Sequence, residues 1–144
     1  MTTPAVQPSS TEQNAAIARR YYEEVWDQGN LAEVDALVDP NIVLNNWAPG
    51  LDGLKNVIRG TRVSFPDLHY TLDDLIAAGD KVVVRFKFQG THQGDYRGLA
   101  PTHKTVSYTG IGIWRLADGK LVEHWSNIDL YGLMQQLGAI PQPT

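Results

Sequence analysis

Two periodicities divide this chain. From Glu12 to Asp27 apolar positions recur at helical spacing, with Ile17, Tyr21 and Val25 on one stripe and Ala18, Tyr22 and Trp26 beside it, which predicts an amphipathic helix ended by Gln28-Gly29-Asn30. Leu31 to Val38 predicts a second short helix closed by Asp39-Pro40, Asn41 to Leu44 a short strand, and Gly53 to Ser64 a third helix stopped at Phe65-Pro66-Asp67. Beyond that point the period becomes two. His69 to Ile76, Lys81 to Gln89, Lys104 to Leu116 and Leu121 to Ile128 read as strands, with the long loop Gly90 to His103 between the middle pair. A helical pattern returns in Leu130-Tyr131-Gly132-Leu133-Met134. Helices first and an antiparallel sheet afterwards predict an α+β domain with its helices on one face. With no internal repeat or linker, residues 13–139 form one domain, and residues 1–12 and 140–144 are expected to be disordered tails.

The last two strands carry the most information. The Asp118-Gly119 tip suits a two-residue loop or a three-residue loop with Gly119 at positive φ. The three-residue version pairs Leu116 with Lys120, hence Gly112 with His124 and Gly110 with Ser126. Two glycines then face two polar side chains on one surface, and glycine within a strand marks a place where something else needs room. A hollow is expected there. The opposite face carries Ile111, Ile113, Glu123 and Trp125, apolar at its middle.

Composition narrows the field. With 42% hydrophobic and 19% charged residues in 144, the chain is globular and large enough for a real core. The net charge of −4 has no compensating basic cluster, so neither a nucleic acid nor an anionic membrane is an expected partner. Cysteine is absent, excluding disulfide and thiol chemistry. No apolar run approaches the roughly 20 residues of a membrane helix, and MTTPAVQPSS lacks the features of a signal peptide, so a cytoplasmic protein is expected.

Four stretches, YYEEVWDQGNLAEVDALVDPNIV, FPDLHYTLDDLIAAGDKVVVRF, GTHQGDYRGLAPTHK and ADGKLVEHW followed by QQLG, together resemble the SnoaL-like polyketide cyclases of the nuclear transport factor 2-like superfamily. The resemblance runs from about Asn14 to Gly138. It implies a cone, in which a curved antiparallel sheet wraps around the N-terminal helices and encloses a ligand cavity at the wide end. It also implies a homodimer, a small hydrophobic or oxygenated substrate, no metal and no organic cofactor. The resemblance puts positions 112 and 126 in the cavity. It does not carry over the aldol machinery: the position of the acid/base carboxylate holds Ser126, that of an assisting His holds Gly112, that of a pocket Tyr holds Trp26, and that of a pocket Asn falls at about Val57.

The ionisable groups that remain define the candidate site. His124 shares the strand face of Ser126, and an unperturbed imidazole near pH ~6.5 suits a general acid/base; a histidine satisfied by a neighbouring hydroxyl is the alternative. His103, in Pro101-Thr102-His103-Lys104 where relatives commonly carry Gly, is placed at the cavity mouth as a second proton-transfer group or is surface drift. His92 reads as structural. Asp129 ends the last strand and is either a pocket carboxylate or the N-cap of the following helix. Tyr22 lies four residues from Trp26 on one helix face and joins the candidate catalytic set. Trp26, Asn46, Trp47, Tyr108, Gly110, Gly112 and Ser126 are the expected substrate-binding residues, an aromatic, amide-rich and hydroxyl-rich lining suited to a flat, partly oxygenated molecule.

Other chemistries find little support. GDYRGLAP lacks the spacing of a phosphate loop, the four histidines show no metal-ligand spacing, and no nucleophile elbow occurs. Asp129, Arg85 and Asp95 are the only raw material for the Asp-Arg-Asp set of epoxide hydrolases with this fold. The expectation is a cofactor-independent cyclase or isomerase acting on a small polyketide-like or terpenoid-like metabolite. The alternatives are a non-catalytic small-molecule-binding protein and an epoxide-opening hydrolase or cyclase.

Overall fold

In the computed structural model, which describes residues 10–45 and 47–141, helix α1 (Ser10–Arg20) opens with Glu12 in its first turn and closes with Arg19 and Arg20 in its last, the arrangement that suits the helix dipole. The sequence predicts one regular helix to Asp27, but Tyr21–Asp27 forms wider π-helical turns. The reason is side-chain burial. Tyr21, Tyr22, Val25 and Trp26 are all buried, and the wider turn seats two adjacent tyrosines inward together. Arg62 donates to the Trp26 and Asp27 carbonyls at the end of this segment. Helix α2 (Ala32–Leu37) runs directly into β1 (Val38–Leu44), and α3 (Gly50–Ser64) starts earlier than its periodicity suggests.

The rest is a curved, unclosed sheet. Strands β2 (His69–Ala78), β3 (Lys81–Thr91), β4 (Thr105–Ala117) and β5 (Lys120–Ile128) are antiparallel neighbours, in the order β1-β5-β4-β3-β2. Strand β1 departs from the expected antiparallel scheme: it lies parallel to β5, pairing Val38 with Leu121 and Leu44 with His124. The long connection from β1 to β5 leaves its direction free, whereas a tight hairpin would dictate antiparallel pairing. On β3, Val82, Val84, Phe86 and Phe88 are buried against the helices while Arg85 and Lys87 are exposed, the period-two pattern of a half-covered sheet. Helix α4 (Leu130–Gln136) follows β5. Because α1 begins at Ser10, residues 10–12 belong to it; the rest of the expected N-terminal tail, residues 1–9, lies outside the described residues, as do 142–144.

The β4–β5 hairpin differs from the three-residue version. Ala117 pairs with Lys120, so the loop is the two residues Asp118 and Gly119, with φ of 50° and 75° as a type I′ turn requires. A regular ladder from that turn would set Arg115 opposite Val122 and aim His124 outward. Instead Leu116 pairs with Leu121 and Arg115 with Glu123, so Val122 is an extra, bulged residue. The bulge returns the alternation to phase. Trp114 faces His124, Gly112 faces Ser126 and Gly110 faces Ile128. Each pair sits two residues from its three-residue expectation, and a shift of two keeps every side chain on its predicted face.

This register is testable by deletion. Removing Val122 should leave a regular hairpin with His124 still inward and a small drop in Tm. Removing Trp125 lets the ladder run in phase only with Glu123 turned into the core, a loss of about 3 kcal/mol or more from a buried charge. Thermal melts of the two deletion variants should therefore differ widely, and equal melts would refute the assigned bulge.

Candidate functional site

The π-helical turns, α3, the concave sheet face and the loop at 93–99 enclose a cavity of about 660 Å³. Its walls are aromatic: Tyr22, Trp26, Trp47, Tyr70, Tyr108 and Trp114 all contribute. Tyr108 stacks on Phe88 with centroids 4.5 Å apart, and Trp26 packs against Tyr70 at 5.3 Å. Tilted and stacked pairs of this kind hold rings in fixed poses rather than leaving them to fill space. Trp114 Nε1 donates to the Tyr22 hydroxyl at 3.1 Å, locking the two together.

His124 sits on the cavity floor. Its ring stacks on Trp114 at 3.9 Å, meets Trp47 edge-on at 5.5 Å, and accepts a hydrogen bond from Trp47 Nε1 at Nδ1, 3.0 Å away. An indole N–H only donates, so Nδ1 must be the bare nitrogen and the ring proton resides on Nε2. Nε2 has no partner among the described residues. Burial pulls the imidazole pKa down to about 3, because a buried cation loses its hydration. The expected titration near neutrality is therefore absent from this group, and His124 stands as a neutral N–H donor. Burial likewise raises the pKa of Tyr21, Tyr22, Tyr70 and Tyr108, keeping all four as O–H groups.

The structure brings together Tyr22, Trp26, Trp47, Tyr108, His124 and Ser126 from the sequence-derived set. Asn46 lies outside the described residues. The glycines serve differently from the expectation. A Cβ on Gly110 would stand 2.5 Å from the Phe86 ring and 3.0 Å from Ile128, so these two side chains occupy that hollow. A Cβ on Gly112 would stand 2.9 Å from His124 Nε2 and 3.4 Å from the Tyr22 hydroxyl, so this gap admits the two polar groups themselves.

His103 and Asp129 are not brought to the cavity walls. His103 is exposed in the left-handed region at φ 60°, its N–H donating to the His92 carbonyl to close the loop. Asp129 is exposed and caps α4, accepting from the Gly132 N–H at 2.9 Å, which is the capping alternative. His92 is buried with Nδ1 accepting from the Thr102 N–H at 3.1 Å, as its structural reading implies. Arg85 pairs with Asp74 at 2.6 Å and Asp73 at 3.5 Å, so no epoxide-opening set assembles with Asp95 and Asp129. The cavity rim instead carries Asp95, Tyr96 and Arg97, which the sequence reading passed over as wall residues. Their signal was the turn: Arg97 and Gly98 take φ of 51° and 84° between the paired Tyr96 and Leu99. Tyr70 and Trp114 were missed too, although strand alternation puts Trp114 on the Gly112 face.

Among the described residues no helix is long and apolar enough to cross a membrane. The family model for SnoaL-like polyketide cyclases matches residues 16–137. Solved structures similar to this chain include AclR from Streptomyces galilaeus, assigned as a hydroxylase, at 28% identity and a TM-score of 0.85 over 94% of this chain and 87% of that one. TsrD from Streptomyces laurentii is 29% identical with a TM-score of 0.83, covering 94% and 100%. IdmH from Streptomyces antibioticus, assigned as a polyketide cyclase, is 29% identical with a TM-score of 0.76, covering 88% and 99%. The search of curated proteins matched none to this chain.

The buried imidazole predicts a pH dependence of stability. Unfolded, His124 takes a proton near pH ~6.5; folded, it does so only near about 3. The unfolded state therefore binds more protons between these values, and stability should fall as pH drops through that window, by up to about 1.4 kcal/mol per pH unit. Urea melts at pH 7 and pH 4.5 should show this fall in the native protein and a shallower one in His124→Gln.

Proposed function

The chain belongs to the SnoaL-like polyketide cyclase family, and from that membership we propose a cofactor-independent cyclase or isomerase of a small, oxygenated, polyketide-like or terpenoid-like metabolite. The observation that carries this reading is the cavity of about 660 Å³ with aromatic walls and a few inward polar groups, which matches a flat molecule with scattered oxygens. Ring closure needs two ends of one flexible substrate held together. Orientation of that kind supplies several kcal/mol of barrier lowering without an added reagent.

The chemistry differs from the aldol cyclases at its centre. Ser126 occupies the position that the resemblance gives to the acid/base carboxylate, and it lines the cavity without a side-chain partner among the described residues. Shape control by Trp26, Trp47 and Tyr108 then carries the selectivity, while the Ser126 hydroxyl holds a substrate oxygen. A binding protein without turnover is the second reading. It is favoured by one observation, that the buried histidine and tyrosines of the cavity are held neutral by burial.

A panel of linear precursors carrying several ketones should distinguish the two readings. Enzyme-dependent appearance of a cyclic product, isomeric with the precursor or lighter by one water, supports catalysis. Ser126→Leu, which fills the cavity at a half-buried position, should remove turnover with little change in Tm. Tight binding of every precursor with no product at all would establish the binding protein instead.

We also propose a two-fold homodimer through the outer sheet face. Ile111 is 50% exposed there beside the paired Ile113 and Trp125, an apolar patch on a small domain. Light scattering at micromolar concentration should give twice the chain mass, and Trp125→Lys should give the monomer with its cavity intact. A monomeric native protein would refute the assembly.

A further inference from the structure

Among the described residues that line the cavity, Arg97 is the one permanent cation and Asp95 the one carboxylate, and both stand exposed at the rim. They do not pair with each other. Asp95 is turned onto its own loop, where its Oδ1 accepts from the Gly98 N–H at 3.1 Å and its carbonyl accepts from the Ser64 hydroxyl. Arg97 donates through Nε to the Tyr96 hydroxyl at 3.3 Å and lies over that ring, 5.6 Å from its centroid. Its two Nη groups meet no acceptor among the described residues. Other arginines of the chain are used up: Arg20, Arg85 and Arg115 sit against carboxylates, and Arg62 against two backbone carbonyls.

The backbone beneath Arg97 adds a second observation. Arg97 and Gly98 close a two-residue turn with φ of 51° and 84°, between Tyr96 and Leu99, which exchange backbone bonds of 3.0 and 2.8 Å. Such a turn favours Asn, Asp or Gly at its first position, and the β4–β5 turn does carry Asp118 there. At the cavity mouth the same left-handed position holds an arginine, which no backbone preference recommends. The turn is also tethered. The Gln93 and Gly94 N–H groups both donate to the Ser64 carbonyl, at 2.9 and 3.2 Å, and the Tyr96 ring meets Phe65 edge-on at 5.3 Å. Burial raises the pKa of the Tyr108 phenol in the cavity wall, and the Arg97 charge works against that rise, so the field of the guanidinium reaches inward.

We infer that Arg97 selects ligands carrying a carboxylate at one end, with the planar body inside the aromatic cavity and the acid group held at the mouth. The inference rests on the small-molecule cavity of the proposed function and names a class of ligand for it, an aromatic or oxygenated acid rather than its ester or amide. A guanidinium with both Nη groups free offers a carboxylate two parallel N–H donors. The net charge of −4 repels anions at long range, so a preference for one has to originate at a local cation.

Two probes of one shape test this. Anthraquinone-2-carboxylate is an anion at neutral pH, and anthraquinone-2-carboxamide replaces its acid group by a neutral amide. Quenching of tryptophan fluorescence reads both, since Trp26 and Trp47 line the cavity. The carboxylate should bind the native protein at least about fivefold tighter, the worth of one charged pair at a half-exposed site. Arg97→Gln should erase that preference and shift the carboxamide affinity less than about twofold, the worth of a surface change away from the neutral probe. Arg97→Lys, which keeps the charge without the fork, should restore part of it. Lys87 is exposed on the outer sheet face, so Lys87→Gln should leave the preference as it is. Equal affinities for the two probes in the native protein would overturn the role of Arg97 while leaving the cavity reading intact. A preference that persists in Arg97→Gln, or vanishes in Lys87→Gln, would overturn it as well, by placing the anion elsewhere. Failure of both probes to bind would refute the cavity and the arginine together.

Discussion

The register between β4 and β5 decides what this protein can be. One bulged residue, Val122, separates a sheet whose floor is Trp114, His124 and Ser126 from one whose floor would be Glu123 and Trp125. Both alternations are compatible with a tight Asp-Gly turn, and only one gives an apolar core. Leu121 and His124 are buried three positions apart, and period two cannot place both inside without the extra residue. Cavity and apolar outer face both follow from that choice.

The order of elements and the period of each strand were legible because burial on one face writes a strong pattern into the sequence. Val82, Val84, Phe86 and Phe88 are an example, alternating with Arg85 and Lys87. The direction of β1 was not legible, since a seven-residue strand far from its partner carries no turn to dictate it. The π-helical turns were hidden as well. Tyr21, Tyr22, Val25 and Trp26 satisfy an ordinary helical stripe, and only the packing of two neighbouring tyrosines inward separates the two geometries.

For the site, face assignment succeeded where chemistry did not. Shared strand faces put His124 and Ser126 together, and helical spacing put Tyr22 beside Trp26. The tautomer of His124 could not be read from residue types, because it depends on the Trp47 indole, which arrives from a loop far away in the chain. His103 and Asp129 drew attention as ionisable residues near a motif, and their backbone roles, a loop closure and a helix cap, account for them. In place of a carboxylate the floor of this cavity offers the Ser126 hydroxyl.

The parallel pairing of β1 with β5 bears on how the molecule is assembled in time. Hairpins join β2 to β3 and β4 to β5 through tight turns, and contacts so close in sequence form fast. Val38 and Leu44 must instead find Leu121 and His124 across most of the chain, a slow search that yields little until the sheet exists. Trp47 follows β1 by only three residues, so its bond to His124 belongs to that late step.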